Sequence, residues 1–364
     1  MLDPRDNRGK RHDLHFVLFG VLLATMAGKV LIAEMHRFLV RHHSSLCSLL
    51  DSQQDCAISD VQLRRLLALI EVDAYQRFHM RYFGWQASLL PLGSWISFDG
   101  KELRGTIDGV RGQKRGLCIV RPLLHQGRIS LPGVFYHGAK DSEITCLRIL
   151  LRDHHLATRR LTFDALHTQP KTLEMVENAS GVYVAQVKGN QTTLLEDLQD
   201  HCQLSEPLAQ CHSLDKGHGR IEQRTASFYS LKAVCFEKKW NDSGLATLIV
   251  VQREATQCKT GKVSQETSYY LTNADIAEVP PEELFGAIRQ HWGIEADNWV
   301  RDSTFSEDRI RCKEPARSKT LASVISVAGN LLRQQKKGYL KAMQEDIAYN
   351  LAAAMPLFKH ANVL

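Results

Sequence analysis

Apolar positions recur at helical spacing from Leu14 to about Leu90. One run extends to Met35, a shorter one covers Leu46 to Leu50, and a third segment opens at Ser59. In that segment Ser59 is placed to cap and Asp60 favours the helix dipole, while Val61, Leu63, Leu66, Leu67 and Ile70 return every three or four residues. The pattern predicts an all-helical N-terminal module over 1–90. Beyond Pro91 the texture changes to short β-like runs closed by glycine or polar residues. Strands are predicted at Trp95 to Phe98, Gly116 to Val120, Gly133 to Tyr136, Arg160 to Phe163 and Val182 to Val187, with a helix at Ile144 to Arg152. Alternating strands and helices with polar residues at the strand ends imply an α/β layered sheet. From about 205 to 280 the pattern becomes β-rich, with strands at Ile221 to Ser230, Leu245 to Arg253 and Ser268 to Leu271 and a hairpin turn at Lys259 to Lys262. Pro280-Pro281 then opens a helix that is predicted to run through Trp292 and Glu295 to about Asp302. A last helix, Ser318 to Gln335, carries Leu321, Val324, Ile325, Ala328, Leu331 and Leu332 on one side.

The apolar stretch Phe16 to Gly28 follows Arg8, Lys10 and Arg11 and so imitates a signal peptide, but Lys29 ends it short of the roughly 20 residues a membrane span needs. A buried helix is the expectation, with a cytoplasmic protein and no membrane partner. Nine scattered cysteines include no CxxC pair, which points away from a disulfide framework and from a zinc ribbon. The 364 residues carry a net charge of +6. That modest basic excess suits a polyanionic partner without identifying one.

Three carboxylates stand out by context: Asp99 in ISFDGKELRG, Asp164 in LTFDALHTQ and Glu295 in HWGIEADNW. Asp99 and Asp164 each end a predicted strand, so neighbouring strands would present both at one sheet edge, and a helix carrying Glu295 can pack across it. Two magnesium ions about 3.5–4 Å apart drive in-line phosphodiester chemistry, and such hard cations take carboxylate oxygens. Each carboxylate also has a plainer reading: Asp-Gly after a strand is a common turn, Asp164 can cap a loop, and a helical glutamate is usually solvated.

The wider context narrows this choice. Asp3-Pro4-Arg5, FDGKELRGT at 98–106, FDALHTQ at 163–169, VKGNQ at 187–191, KGHGRIEQR at 216–224, YYLTN at 269–273, IRQHWGIE at 288–295, TFSED at 304–308 and NLLRQQ at 330–335 occur in this order along the chain. Together they resemble the H-repeat-associated (ISAs-type) DDE transposases of bacterial insertion sequences, across nearly the whole length. The resemblance implies an RNase H-like mixed-sheet core at 91–204 and 281–364, a β-rich insertion at 205–280, and a helical module at 1–90 that helps recognise DNA ends. It implies Asp99, Asp164 and Glu295 as the catalytic, metal-holding triad, with two Mg2+ ions for which Mn2+ can substitute. The implied reaction is nicking at element ends followed by strand transfer into target DNA. Implied partners are double-stranded DNA, as terminal inverted repeats and target, and a second copy of the chain as a homodimer on DNA in the bacterial nucleoid. A catalytically impaired DNA-binding remnant and an RNase H-like nuclease without strand transfer are the alternatives.

Around this centre, Lys101, Arg104, His167, Lys188, Asn190, His218, Arg220, Arg289 and His291 are candidate DNA contacts. Surface charge, a turn histidine or an exposed loop explains several of them equally well. Many relatives in the wider group place tyrosine, arginine and lysine along the helix of the glutamate. Here Ile288, His291 and Asp302 stand instead, so the hairpin route of tyrosine-bearing relatives is not implied.

Overall fold

The computed structural model describes residues 2–7, 10–83, 93–109, 112, 114–137, 140–217, 219–334 and 339–358, with 140 and 141 in backbone only. The change of texture at Pro91 lies outside the described residues. The chain divides into two compact units, one of Met1–Leu90, Asp99–Cys146 and Ile294–Leu364, the other of Pro91–Phe98 and Leu147–Gly293.

In the first unit, helices α1 (Leu14–Met26), α2 (Ile32–Arg41), α3 (His43–Leu49), α4 (Asp60–Leu69) and α5 (Val72–Tyr82) form the N-terminal module. Asp13 caps α1 by accepting the Phe16 N–H at 2.7 Å, and Ser59 caps α4 by accepting that of Gln62 at 3.3 Å. The apolar run expected to reach Met35 breaks after Ala27, because Gly28 takes a φ of +74° that side-chain-bearing residues avoid. Most of α1 is buried, as a continuously apolar helix requires. Among the described residues no helix is long and apolar enough to cross a membrane.

The remaining elements are β1 (Trp95–Leu103), β2 (Leu117–Leu124), β3 (Ile129–Ser130), β4 (Val134–Tyr136), α6 (Lys140–Asp153), β5 (Arg160–Phe163), α7 (Pro170–Asn178), β6 (Val182–Val187), α8 (Thr192–Leu204), β7 (Ala209–Gly217), β8 (Arg220–Ser230), β9 (Thr247–Gln257), β10 (Val263–Thr272), α9 (Pro281–His291), α10 (Gly293–Ser303), α11 (Pro315–Gln334), α12 (Leu340–Tyr349) and α13 (Met355–Phe358). The strands make one mixed ten-stranded sheet in the order β3-β2-β1-β5-β6-β10-β9-β8-β7, with β4 on β2. Parallel pairing joins β1 to β5 and β5 to β6, whereas β6 through β7 pair antiparallel. This parallel centre with α/β crossovers is the architecture expected of an RNase H-like core.

Several expectations change. Strand β1, expected to end at Phe98 before Asp99, runs on to Leu103, so Asp99 lies inside it. The strand β7 is not predicted from sequence, because its run, AQCHSLDKG, is mostly polar and has no β-branched side chain. The helix predicted from 282 to 302 is two helices, α9 and α10, divided at Trp292 before Gly293, a residue that weakens helix interiors. The last helix, α11, is buried all round rather than on one side: Ser318 and every residue from Thr320 to Leu332 are inaccessible. It is the core of the first unit, in contact with α1, α4 and α5. The core of the second unit gathers Trp95, Val184, Phe228, Ile249, Leu284 and Phe285.

Candidate active site

Strand β1 carries Asp99 out of the interior. Ile96, Ser97 and Phe98 are buried, and Asp99 itself is half-buried. Its Oδ2 accepts a hydrogen bond of 2.6 Å from the side-chain amide of Asn298 on α10. A Cβ at Gly100 would fall 2.2 Å from the carboxyl carbon of Glu143, which would then have to shift. Glu143, which accepts from the Tyr136 hydroxyl at 2.9 Å, is a further acid beside Gly100 that the sequence did not mark. Burial first, and then the Glu143 charge, push the Tyr136 hydroxyl well above its ordinary pKa, so it stays a donor.

In the second unit, Asp164 follows β5 in a loop held at several points. Its Oδ1 accepts the His167 N–H at 3.0 Å, and Thr168 donates its hydroxyl to the Gln186 carbonyl at 2.6 Å. The Asn190 side chain donates to the Ala165 carbonyl at 2.7 Å, and that of Gln191 to the Thr168 carbonyl at 3.2 Å. Thus the VKGNQ segment acts on the Asp164 loop: Asn190, expected as a DNA contact, spends its amide there. Lys188 is exposed. His167, expected at an accessible position, is fully buried. His291 Nδ1 meets the Thr162 hydroxyl at 2.8 Å. Burial holds the His291 imidazole down at about 4, against the opposing pull of the Asp164 charge, so it is neutral at pH 7.

Ser97 of β1 pairs with Thr162 of β5. Asp99 stands two residues beyond Ser97, inside β1, and Asp164 directly follows the end of β5.

Glu295 lies on the first turn of α10 and is exposed. Asn298 is three residues further, on the same helical face, so the bond from Asn298 to Asp99 fixes the helix of Glu295 against β1 at Asp99. Deeper in this unit a charge network makes the same connection. Glu307, wholly buried, accepts from both Arg121 nitrogens and lies 3.3 Å from Lys101 Nζ and 3.6 Å from an Arg301 nitrogen. Arg301 also donates to Asp297 at 2.7 Å, Arg333 pairs with Asp297, and Lys101 pairs with Asp302. Burial alone would raise the Glu307 carboxyl, but Arg121, Arg301 and Lys101 outweigh it and keep it below its ordinary range. Lys101, a candidate phosphate contact by sequence, is engaged in this network, and Asp302 is its partner. The network was not legible in sequence because its members come from β1, β2, α10, α11 and the TFSED turn.

The other candidates are dispersed. Arg104 is exposed, 3.9 Å from Asp308. Arg220 pairs with Glu222 at 2.6 Å and Arg289 with Asp215 at 2.5 Å. His218 lies outside the described residues. Among the described residues no three His, Cys, Asp or Glu side chains are gathered as a metal-holding group.

Comparison with known proteins agrees with this architecture. The family described as "Transposase DDE domain" matches residues 132–331, and the one described as "DDE_Tnp_1-associated" matches 1–83. The chain is 27% identical over 360 residues to "Putative transposase YncI" of Escherichia coli O157:H7, covering 96% of this chain and 90% of that protein. It is 23% identical over 343 residues to "H repeat-associated putative transposase YhhI" of Escherichia coli (strain K12), covering 92% and 88%. With the ordered motifs and a match over more than half its length, the chain belongs to the DDE transposase family.

Proposed function

We propose that the protein is the transposase of an insertion sequence, in which Asp99, Asp164 and Glu295 hold divalent cations and cut DNA at the element's ends. The observation that carries the reading is the Asn298 bond that ties the helix of Glu295 to Asp99 in the first unit. Three carboxylates are hard oxygen donors of the kind magnesium takes, which fits the pair of ions this chemistry uses. Bound there, such ions would lower the pKa of the attacking water and offset charge on the leaving oxygen.

The residues of the chain do the rest. Asn298 and the Glu307 network hold the carboxylates of the first unit, and the Asn190 and Gln191 amides hold the Asp164 loop. Neutral His291 adds no positive charge that would compete for the Asp164 carboxylate. In the first step water attacks phosphorus at the element end, the P–O bond to the 3′ oxygen breaks, and that oxygen leaves as a free 3′-hydroxyl. In the second step the 3′-hydroxyl attacks a target phosphodiester in line, and a target 3′ oxygen leaves. The helical module at 1–90 is assigned to end recognition, 205–280 to the β-rich insertion, and the working species to a homodimer on DNA.

A DNA-binding remnant is the second reading, favoured by the absence, among the described residues, of three acid or imidazole side chains gathered for a metal. The test incubates purified protein with labelled duplexes carrying the inverted repeats that flank its coding region, a target plasmid and magnesium. End-nicked and plasmid-joined products support the transposase. Nicks without joining indicate a nuclease, and retention without nicks a remnant.

A further inference from the structure

Two cavities in the first unit carry cationic side chains, and their charges are treated differently. In the cavity lined by Arg64, Arg311, Lys313 and Arg317, three of the four cations have a local partner. Arg64 is bound to Asp60, Lys313 to Asp108 at 2.7 Å, and Arg317 to the Arg64 carbonyl at 3.0 Å. In the second cavity, of about 690 Å³, Lys29, Arg37, Arg41 and Arg309 line the wall with a single carboxylate, Glu34. That carboxylate is already committed. It accepts the Val30 and Leu31 N–H groups at the start of α2 and lies 3.4 Å from Arg309. Among the described residues Lys29, Arg37 and Arg41 make no ion pair.

Placing Arg37 and Arg41 four apart on one helix is unfavourable by itself, since like charges at that spacing repel. A concave wall of three uncompensated cations is what an anion would stabilise. His42, on the same wall, is held below its ordinary pKa by burial and by Arg41 and Lys29, which reports the positive potential there.

We propose that the cavity walled by Lys29, Arg37, Arg41 and Arg309 is a docking site for the phosphodiester backbone of duplex DNA. It gives the assigned end-binding role of the N-terminal module a specific surface and rests on that reading for its partner. Duplex DNA is favoured over a small anion because the cations are spread along α2 and the turn at Arg309 instead of converging on one enclosed point.

The test measures fluorescence anisotropy of a labelled 30-base-pair duplex of arbitrary sequence, in EDTA, across a salt series. Omitting metal separates it from the cleavage reading: an inactive Asp99→Ala protein should bind as the parent does. The R37A/R41A variant is compared with K232A/R152A, which removes the same charge from exposed positions in the other unit. Arg37 and Arg41 are exposed, so their loss should leave the unfolding midpoint unchanged. The expected result is an affinity loss of about tenfold or more and a salt slope reduced by roughly 1 to 2 for R37A/R41A, with a far smaller effect in the control. Equal losses in both variants overturn the proposal. So does pyrophosphate binding that R37A/R41A abolishes while the variant holds the duplex as the parent does, which would mark a small-anion site.

Discussion

Two buried histidines set how this protein answers to acid. Burial holds His79 at about 3 and His291 at about 4; the Asn330 amide, donating at 2.9 Å, needs an unprotonated His79 nitrogen, and His291 meets the Thr162 hydroxyl. Between about pH 6.5 and those folded values the unfolded chain binds protons that the folded chain refuses, so stability falls as the pH is lowered. Each histidine contributes a slope of up to about 1.4 kcal/mol per pH unit in that window. Urea unfolding at pH 7.5 and pH 5 should show the loss, and His291→Gln should reduce it; a pH-independent midpoint would refute the assignment. A second residue-scale outcome concerns Asn298. Asn298→Ala removes a bond that orients a proposed metal ligand, and such losses cost about 10–100-fold in metal affinity or activity. End nicking should fall in that range, recover partly at high magnesium, and leave DNA retention unchanged. Asp99 and Asp164 were visible in sequence because each ends an apolar run. Asn298 and Glu143 were not, because their importance lies in contacts with residues 199 and 43 positions away, which spacing does not encode.

At the scale of elements, the Glu307 network decides how firmly α10 is held to β1 and β2. Removing the buried carboxylate leaves the Arg121 guanidinium without its ion-pair partner and Arg301 with Asp297 alone, at a cost of about 3–5 kcal/mol. Glu307→Ala should lower the urea midpoint by that equivalent, whereas an unchanged midpoint would mean the arginines find water. The strands β5 and β6 follow the sequence reading residue for residue, since their runs are short, apolar and punctuated by polar residues. The β9–β10 hairpin likewise turns where Lys259 to Lys262 indicated, helped by Gly261 at a φ of +67°. The division between α9 and α10 escaped that reading because the apolar period continues across Trp292 and only the backbone interrupts it. For α11 the sequence suggested one apolar face. The serines, threonine and alanines on its other faces pack in the core as small side chains, so the whole helix is enclosed.

At the scale of the whole molecule, the functional claim depends on three acids that come from distant parts of the sequence. Asn298 ties α10 to Asp99 in the first unit, and Asp164 accepts the His167 N–H in the loop after β5 in the second; family membership gives these facts their chemical meaning. The most direct test is a magnesium-dependent nicking assay on labelled element ends, run with the parent, Asp99→Ala, Asp164→Asn and Glu295→Gln under conditions where all four bind DNA. The account predicts cleavage by the parent at the element boundary and a loss of about a hundredfold or more in each single variant, because removing any one ligand disables both ions. Cleavage at the parental rate in any of the three would contradict it.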